Sequence, residues 1–253
     1  MNSTRIVLTL AAFVIASPLS AQDAKDAPKK PAAAKAPSQR ADVAAPKMGT
    51  NNMPQAGFIA AHERFVKIAK EGQTDLVFLG DSITAGWGGK KEIWNKAFGE
   101  WRPANFGIGG DRTQHVLWRI TNGELDGIKP KALVLMIGTN NSGSDSDEDI
   151  ARGIKKIVET IREKQPATKV LLLAVFPRGE KPGATREKLA KVNQTIAKLD
   201  DGKHVHYLDI GAKFLEADGT LTKEVMPDYL HLSAQGYQIW ADAISPKLAE
   251  LMK

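Results

Sequence analysis

The run "DLVFLGDSITAGW", Asp75 to Trp87, carries a near-continuous apolar strand into a glycine, an aspartate and a serine. A hydroxyl just past the carboxyl end of a buried strand serves either a turn or a nucleophilic attack. Serine oxygen is a weak nucleophile until a neighbouring imidazole takes its proton. That imidazole needs a carboxylate on its other nitrogen, which fixes the tautomer and stabilises the imidazolium. Near the carboxyl terminus "PDYLHLS" supplies both groups, with Asp228 three residues before His231, within one turn. An acyl-transfer site also needs donors aimed at the developing oxyanion. Candidates are the backbone N–H of Ser82, the backbone N–H of Gly110 in "NFGIGGDRT", and the side-chain amide of Asn140 in "GTNNSGS". Together these residues could run ester hydrolysis through an acyl-enzyme, and the set calls for no metal or cofactor.

Such groups must be delivered by a framework, and the chain alternates strand and helix signals. Apolar runs at Leu76–Leu79, Ala104–Phe106, Ala132–Ile137, Lys169–Phe176 and His204–Ile210 suit strands of a parallel sheet covered on both faces. Helical spacing links Phe58, His62, Phe65 and Ile68; then Ile150, Ile154, Ile157, Val158 and Ile161; then Leu189, Val192, Ile196 and Leu199. After Tyr237, Trp240 and Ile244, the pair Ser245-Pro246 is expected to cap and open a final helical segment holding Leu248 and Leu251. The alternation predicts right-handed crossovers and a three-layer α/β/α sandwich on a five-stranded parallel sheet, taken here to be flavodoxin-like. Ligands of such sheets sit beyond the carboxyl ends of the strands. Strand order 2-1-3-4-5 would place Ser82 between the glycine loop and Asn140.

The folded domain is expected over residues 57–253. Before it, Met1–Ala21 reads as a secretory signal: Arg5 is the positive region, Ile6–Ala16 the apolar run, and Leu19-Ser20-Ala21 the cleavage site. The apolar run is too short for a comfortable membrane span, so stable membrane insertion is not expected. Residues 22–56, rich in Ala, Lys and Pro, read as a flexible tether with too little apolar surface to offset its own ordering. A secreted or periplasmic location follows. With no cysteine in 253 residues, neither disulfides nor a lipid-bearing cysteine is available. The net charge of +6 is concentrated outside the domain, because Gln22–Gln55 contributes +3 and Arg5 another +1. Nucleic acid is therefore not an expected partner.

In order and separation, "GDSIT", "GGD", "GTNN" and "DYLH" resemble the four blocks of the SGNH (GDSL-type) hydrolases. From about Leu79 onward "NFGIGGDRTQHVLWRITNGELDGIKPK", "MIGTNN", "FPRGEKP" and "DYLHLSAQGY" are similar to the catalytic α subunits of type I platelet-activating-factor acetylhydrolase. The resemblance implies a serine nucleophile at Ser82, oxyanion donors at Gly110 and Asn140, and the acid–base pair at Asp228 and His231. It also implies a short-acyl, acetyl above all, ester as substrate. Ile83 departs from the leucine of the first block, and Asn141 stands where many members carry aspartate; both are expected to alter pocket shape. Ile83, Leu230 and Arg178 are the candidates for lining the substrate pocket, with loop anchoring an equal reading for Arg178. The resembling subunits pair with one another, which leaves a homodimer open here. A non-catalytic binding protein on the same fold, or a longer-chain lipase, are the competing readings.

Other patterns lead elsewhere. "GIGGDR" has Arg112 in the last place of a G-x-G-x-x-G fingerprint and does not predict nucleotide binding. Asp145, Asp147 and Asp149 mimic a calcium loop, but Ile150 and Lys156 occupy its glycine and closing glutamate positions. An acidic helix start explains them. His204 and His206 share a strand face without an evident third metal ligand. Asp81 is expected to buttress its own loop by bonding nearby backbone.

Overall fold

The computed structural model describes residues 39–253. The signal-peptide reading and the first part of the tether lie outside the described residues. Five parallel strands form one sheet: β1 Leu76–Gly80, β2 Pro103–Gly107, β3 Ala132–Met136, β4 Lys169–Leu173 and β5 Val205–Leu208. Their order is β2-β1-β3-β4-β5, as expected. Helices α1 (Ala56–Glu71), α4 (Thr113–Thr121), α5 (Asp147–Lys164) and α6 (Ala184–Ile196) cover one face. Helices α3 (Lys91–Phe98) and α7 (Ala234–Leu251) cover the other, and the single turn α2 (Ser82–Ala85) follows β1 directly.

The strand period of two explains this layering. Val77, Leu79, Leu133, Leu135, Val170 and Leu172 enter one core with Phe65, Val116 and Ile154. The intervening Leu76, Phe78, Val134, Met136, Leu171 and Leu173 enter the other with Phe98, Trp240 and Ile244. Because both faces are buried, no polar alternation survives in these strands. Each large apolar side chain so buried contributes about 1.5–3 kcal/mol. The acidic run behaves as a helix start, with Ser146 Oγ accepting from Asp149 N at 3.1 Å and Asp147, Glu148 and Asp149 in the first turn of α5.

Three points differ from the sequence reading. Helix α3 was not foreseen, since its buried face consists of little beyond Phe98 with Ile93, Trp94 and Ala97 partly covered. Ser245-Pro246 opens no new segment; α7 runs through it. Ile244 and Leu248 on either side are fully buried on one face, which holds the helix together. Ser245 Oγ donates to the Ala241 carbonyl at 2.7 Å, and the carbonyl that Pro246 leaves without a donor belongs to exposed Asp242, where water can reach it.

The third difference concerns the tether. Residues 39–55 form an ordered arm against α4. Thr113 Oγ1 donates to the Ala41 carbonyl at 2.8 Å, Ala45 N donates to the Gln114 carbonyl at 3.2 Å, and Ala41 is buried. A small turn closes the arm, with Gly49 N to Met53 O and Gln55 N to Lys47 O, both at 2.8 Å. Composition misled here because the arm is held by its own backbone groups rather than by large apolar side chains.

Candidate active site

The register aligns the ends of three strands. Gly80 of β1 lies opposite Gly107 of β2 and Met136 of β3, so the loops after all three emerge side by side. Gly80 permits the abrupt stop: a Cβ there would meet Thr84 Oγ1 at 2.2 Å and the Met136 carbonyl at 2.4 Å. The chain can therefore turn straight from strand into α2. Asp81 caps that turn, its Oδ1 accepting from Ile83 N at 3.0 Å. The buttressing reading of Asp81 agrees with this geometry.

Ser82 is thereby presented just past the carboxyl end of β1, between β2 and β3, half-buried. Its Oγ lies 2.9 Å from His231 Nε2, and His231 Nδ1 lies 2.7 Å from Asp228 Oδ2. With Nδ1–H donating to the carboxylate, Nε2 is left to accept the serine proton. The other Asp228 oxygen accepts the backbone N–H of His231 at 2.7 Å and of Leu230 at 3.1 Å. Partial burial pushes the Asp228 carboxyl up, but the hydrogen bonds from His231 outweigh it and hold the group below its ordinary value. Tyr229, between the two, takes a left-handed φ of 58°, which lets so short a segment fold back on itself.

The second and third loops close around Ser82. Gly110 has a φ of +71°, and a Cβ built on Gly109 would lie 4.0 Å from Ser82 Cβ. Asn140, in a 3-10 turn at Thr139–Asn141, donates from Nδ2 to the Asp111 carbonyl at 2.8 Å and, at a long 3.4 Å, to Asp81 Oδ2. The backbone N–H groups of Ser82 and Gly110 have no acceptor among the described residues. Of the residues singled out in the sequence, Ser82, Asp228, His231, Gly110 and Asn140 are thus brought to one rim.

The pocket candidates fare differently. Ile83 is 1% exposed and packs into the core beside Trp87, because α2 turns it inward. It does not line the site. Asn141 is also buried; its Oδ1 accepts from Thr113 N at 3.0 Å and its Nδ2 donates to Asp145 Oδ2 at 2.6 Å, so it braces loops rather than shaping a pocket. Arg178 Nη1 reaches the Thr139 carbonyl at 3.2 Å and Thr139 Oγ1 at 3.3 Å, which makes it a loop anchor. Leu230 stays partly exposed next to His231. Among the described residues no three acidic or histidine side chains gather as a metal site.

Sequence reading missed a buried charge network behind the glycine loop. Arg119 is fully buried; its Nε donates to Asp111 Oδ2 at 2.9 Å, its Nη1 to Glu124, and its Nη2 to the Gly80 carbonyl at 3.2 Å. Glu124 also meets His62 Nδ1 at 3.3 Å. Burial raises the Asp111 pKa to about 6 against the pull of Arg119. Only a charged residue on the apolar face of α4, among Val116, Leu117 and Ile120, hinted at it. Lys47 from the arm joins the network, donating to the Gly109 carbonyl and standing 3.8 Å from Asp111 Oδ1.

Residues 78–239 match the model of the GDSL-like Lipase/Acylhydrolase family. The chain belongs to that family. It is 42% identical over 196 residues to the bovine (Bos taurus) platelet-activating factor acetylhydrolase IB subunit alpha1, covering 77% of this chain and 84% of the relative. To the alpha2 subunit of Rattus norvegicus it is 44% identical over 181 residues, or 71% and 78% of the two chains. A solved carbohydrate acetylesterase from Sinorhizobium meliloti superposes with a TM-score of 0.56 at 20% identity, covering 70% of this chain and 99% of that one; at this identity the likeness is of fold. As a GDSL-like acylhydrolase, the protein is a carboxylic ester hydrolase.

Proposed function

We propose that this acylhydrolase removes short acyl groups, acetyl above all, by a serine mechanism. Ser82 Oγ attacks the ester carbonyl while His231 Nε2 takes its proton, and Asp228 holds and stabilises the imidazolium. The oxyanion accepts from the N–H groups of Ser82 and Gly110 and from Asn140 Nδ2. His231 then returns the proton to the leaving alcohol. Water, deprotonated by His231, attacks the acyl-enzyme, and collapse of the second tetrahedral intermediate releases the acid and Ser82. The observation that carries this reading is the unbroken chain Ser82–His231–Asp228 at 2.9 and 2.7 Å.

The side chains of His231 and Asp228 are 46% and 57% exposed, so the rim is open. An open rim accommodates an acetyl group attached to a bulky carrier, which favours an acetylated carbohydrate over a long-chain lipid ester. Its likeness to platelet-activating factor acetylhydrolase subunits supports the acetyl preference. Met1–Ala21 would export the enzyme to the periplasm or medium, leaving a mature chain that starts at Gln22; amino-terminal sequencing of the processed protein checks this.

Hydrolysis of p-nitrophenyl acetate by wild type and Ser82→Ala tests the mechanism. The variant should lose about 10³-fold or more in kcat. Equal rates would leave a binding protein on a hydrolase fold. Comparing acetyl with octanoyl esters tests the acyl preference, and faster turnover of octanoyl overturns it. A panel of acetylated xylan, O-acetylated sialic acid and acetyl-phospholipid then sorts the carriers.

A further inference from the structure

The peptide joining Gly109 to Gly110 is gripped by a residue that lies outside the family match. Asp111 N donates to the Ile108 carbonyl at 3.1 Å, closing a four-residue turn whose third residue is Gly110. Gly110 has φ +71° and Gly109 is not among the positive-φ glycines, which is the type II arrangement. Types I and II differ in which way the central peptide faces, here Gly109–Gly110. That peptide is planar and trans, so its carbonyl and its N–H point in opposite directions. Whatever holds the Gly109 oxygen therefore aims the Gly110 N–H. With glycine on both sides, no Cβ resists rotation of this plane. A flip would turn a carbonyl toward the place where the oxyanion needs a donor.

Lys47 Nζ donates to the Gly109 carbonyl oxygen, and its side chain is only 17% exposed. It lies so close that a Cβ on Gly110 would meet Nζ at 2.8 Å. The lysine is itself held in place, because its backbone carbonyl accepts from Gln55 N and the arm is anchored on Thr113 and Gln114. Asp111 Oδ1, buried and without a hydrogen-bond partner, gives the ammonium a counter-charge at 3.8 Å.

We propose that Lys47 is a positioning residue for catalysis, its ammonium locking the Gly109–Gly110 peptide so that the Gly110 N–H stays aimed into the oxyanion hole. The same bond polarises the amide and strengthens that N–H as a donor. The Gln39–Gln55 arm is then part of the catalytic apparatus rather than a spacer. This inference rests on the serine-esterase reading given above.

The absence of cysteine makes a clean test available. Lys47→Cys introduces the sole thiol, and alkylation with 2-bromoethylamine restores an ammonium on a side chain of equal length. Steady-state hydrolysis of p-nitrophenyl acetate and urea unfolding are measured for wild type, Ser82→Ala, Lys47→Met, and Lys47→Cys before and after alkylation. Lys47→Met and unalkylated Lys47→Cys should lose about 10- to 100-fold in kcat, less than or comparable to loss of one oxyanion donor, with little change in KM. Alkylation should recover most of the loss. Wild-type kcat in Lys47→Met, with Ser82→Ala inactive, overturns the inference and leaves the esterase reading standing. A loss that alkylation does not reverse, or that follows the fraction of unfolded protein, also overturns it. If Ser82→Ala hydrolyses as fast as wild type, the esterase reading itself fails.

Discussion

Asp81 is wholly buried one residue before Ser82, and burial raises its pKa from 3.8 to about 7. A carboxyl that holds its proton more tightly folded than unfolded favours the fold at low pH. That contribution fades as pH rises from about 4 to about 7, and above this the buried anion is a liability. Asp81→Asn keeps an oxygen for the Ile83 N–H but cannot ionise. It should be more stable than wild type at pH 8 by on the order of 2 kcal/mol, with the gain vanishing toward pH 4. Urea titrations at the two pH values check this; a difference independent of pH would refute it. At the same rim Asn140→Ala removes the proposed oxyanion donor, and kcat should fall about 10²- to 10³-fold with KM largely kept. An unchanged kcat would place the oxyanion elsewhere.

At the level of elements, the segment after β4 ties two functional loops together. Arg178 reaches Thr139 beside Asn140, while Gly179 N donates to the Tyr229 carbonyl at 2.8 Å, between Asp228 and His231. Arg186 on α6 braces that segment: Nε donates to the Arg178 carbonyl at 3.0 Å, and its terminal nitrogens to the carbonyls of Gly179, Glu180 and Gly219. A planar, multi-donor guanidinium suits this fan of acceptors, and a lysine ammonium does not. Arg186→Met should therefore lower stability by roughly 2–3 kcal/mol, the scale of losing charged hydrogen bonds. It should also depress kcat by loosening Tyr229, and Arg186→Lys should restore little of either. Urea midpoints and acetyl-ester kinetics decide it, and full rescue by lysine would show that charge alone matters.

For the whole molecule, the arm and the domain behave as one folded unit beginning by Gln39, since Thr113 and Gln114 of α4 bond Ala41 and Ala45. A chain starting at Gln39 should match the full chain in thermal midpoint and acetyl-ester turnover. One starting at Ala56 should melt several degrees lower, because it loses the hydrogen bonds of Thr113 Oγ1 to Ala41 and of Ala45 N to Gln114, and the burial of Ala41. Equal midpoints would restore the tether reading. No helix of the described residues is long and apolar enough to cross a membrane.

How much of this was legible depended on whether the physics was local. Strand period, helical spacing and β-α alternation pointed to the parallel three-layer sandwich, because each is decided by neighbouring residues and by the handedness of the crossover, whereas the strand order entered as an assumption that the structure bears out. Asp228 and His231 were readable for the same reason, being three residues apart in one turn. Ile83 was misassigned because only the direction of α2 decides which side of the sheet a side chain enters. The arm and Lys47 were beyond sequence reading, and of the Arg119 network only one charged residue on an apolar helix face gave a hint. They are held by carbonyls and charges contributed from 5 to 72 residues away, and such bonds leave no periodic trace. The sequence thus determined the framework and named the candidates for the reacting groups. The tertiary structure decided what keeps the glycine peptide facing the right way, since a half-buried ammonium has meaning only where folding has already placed its partners.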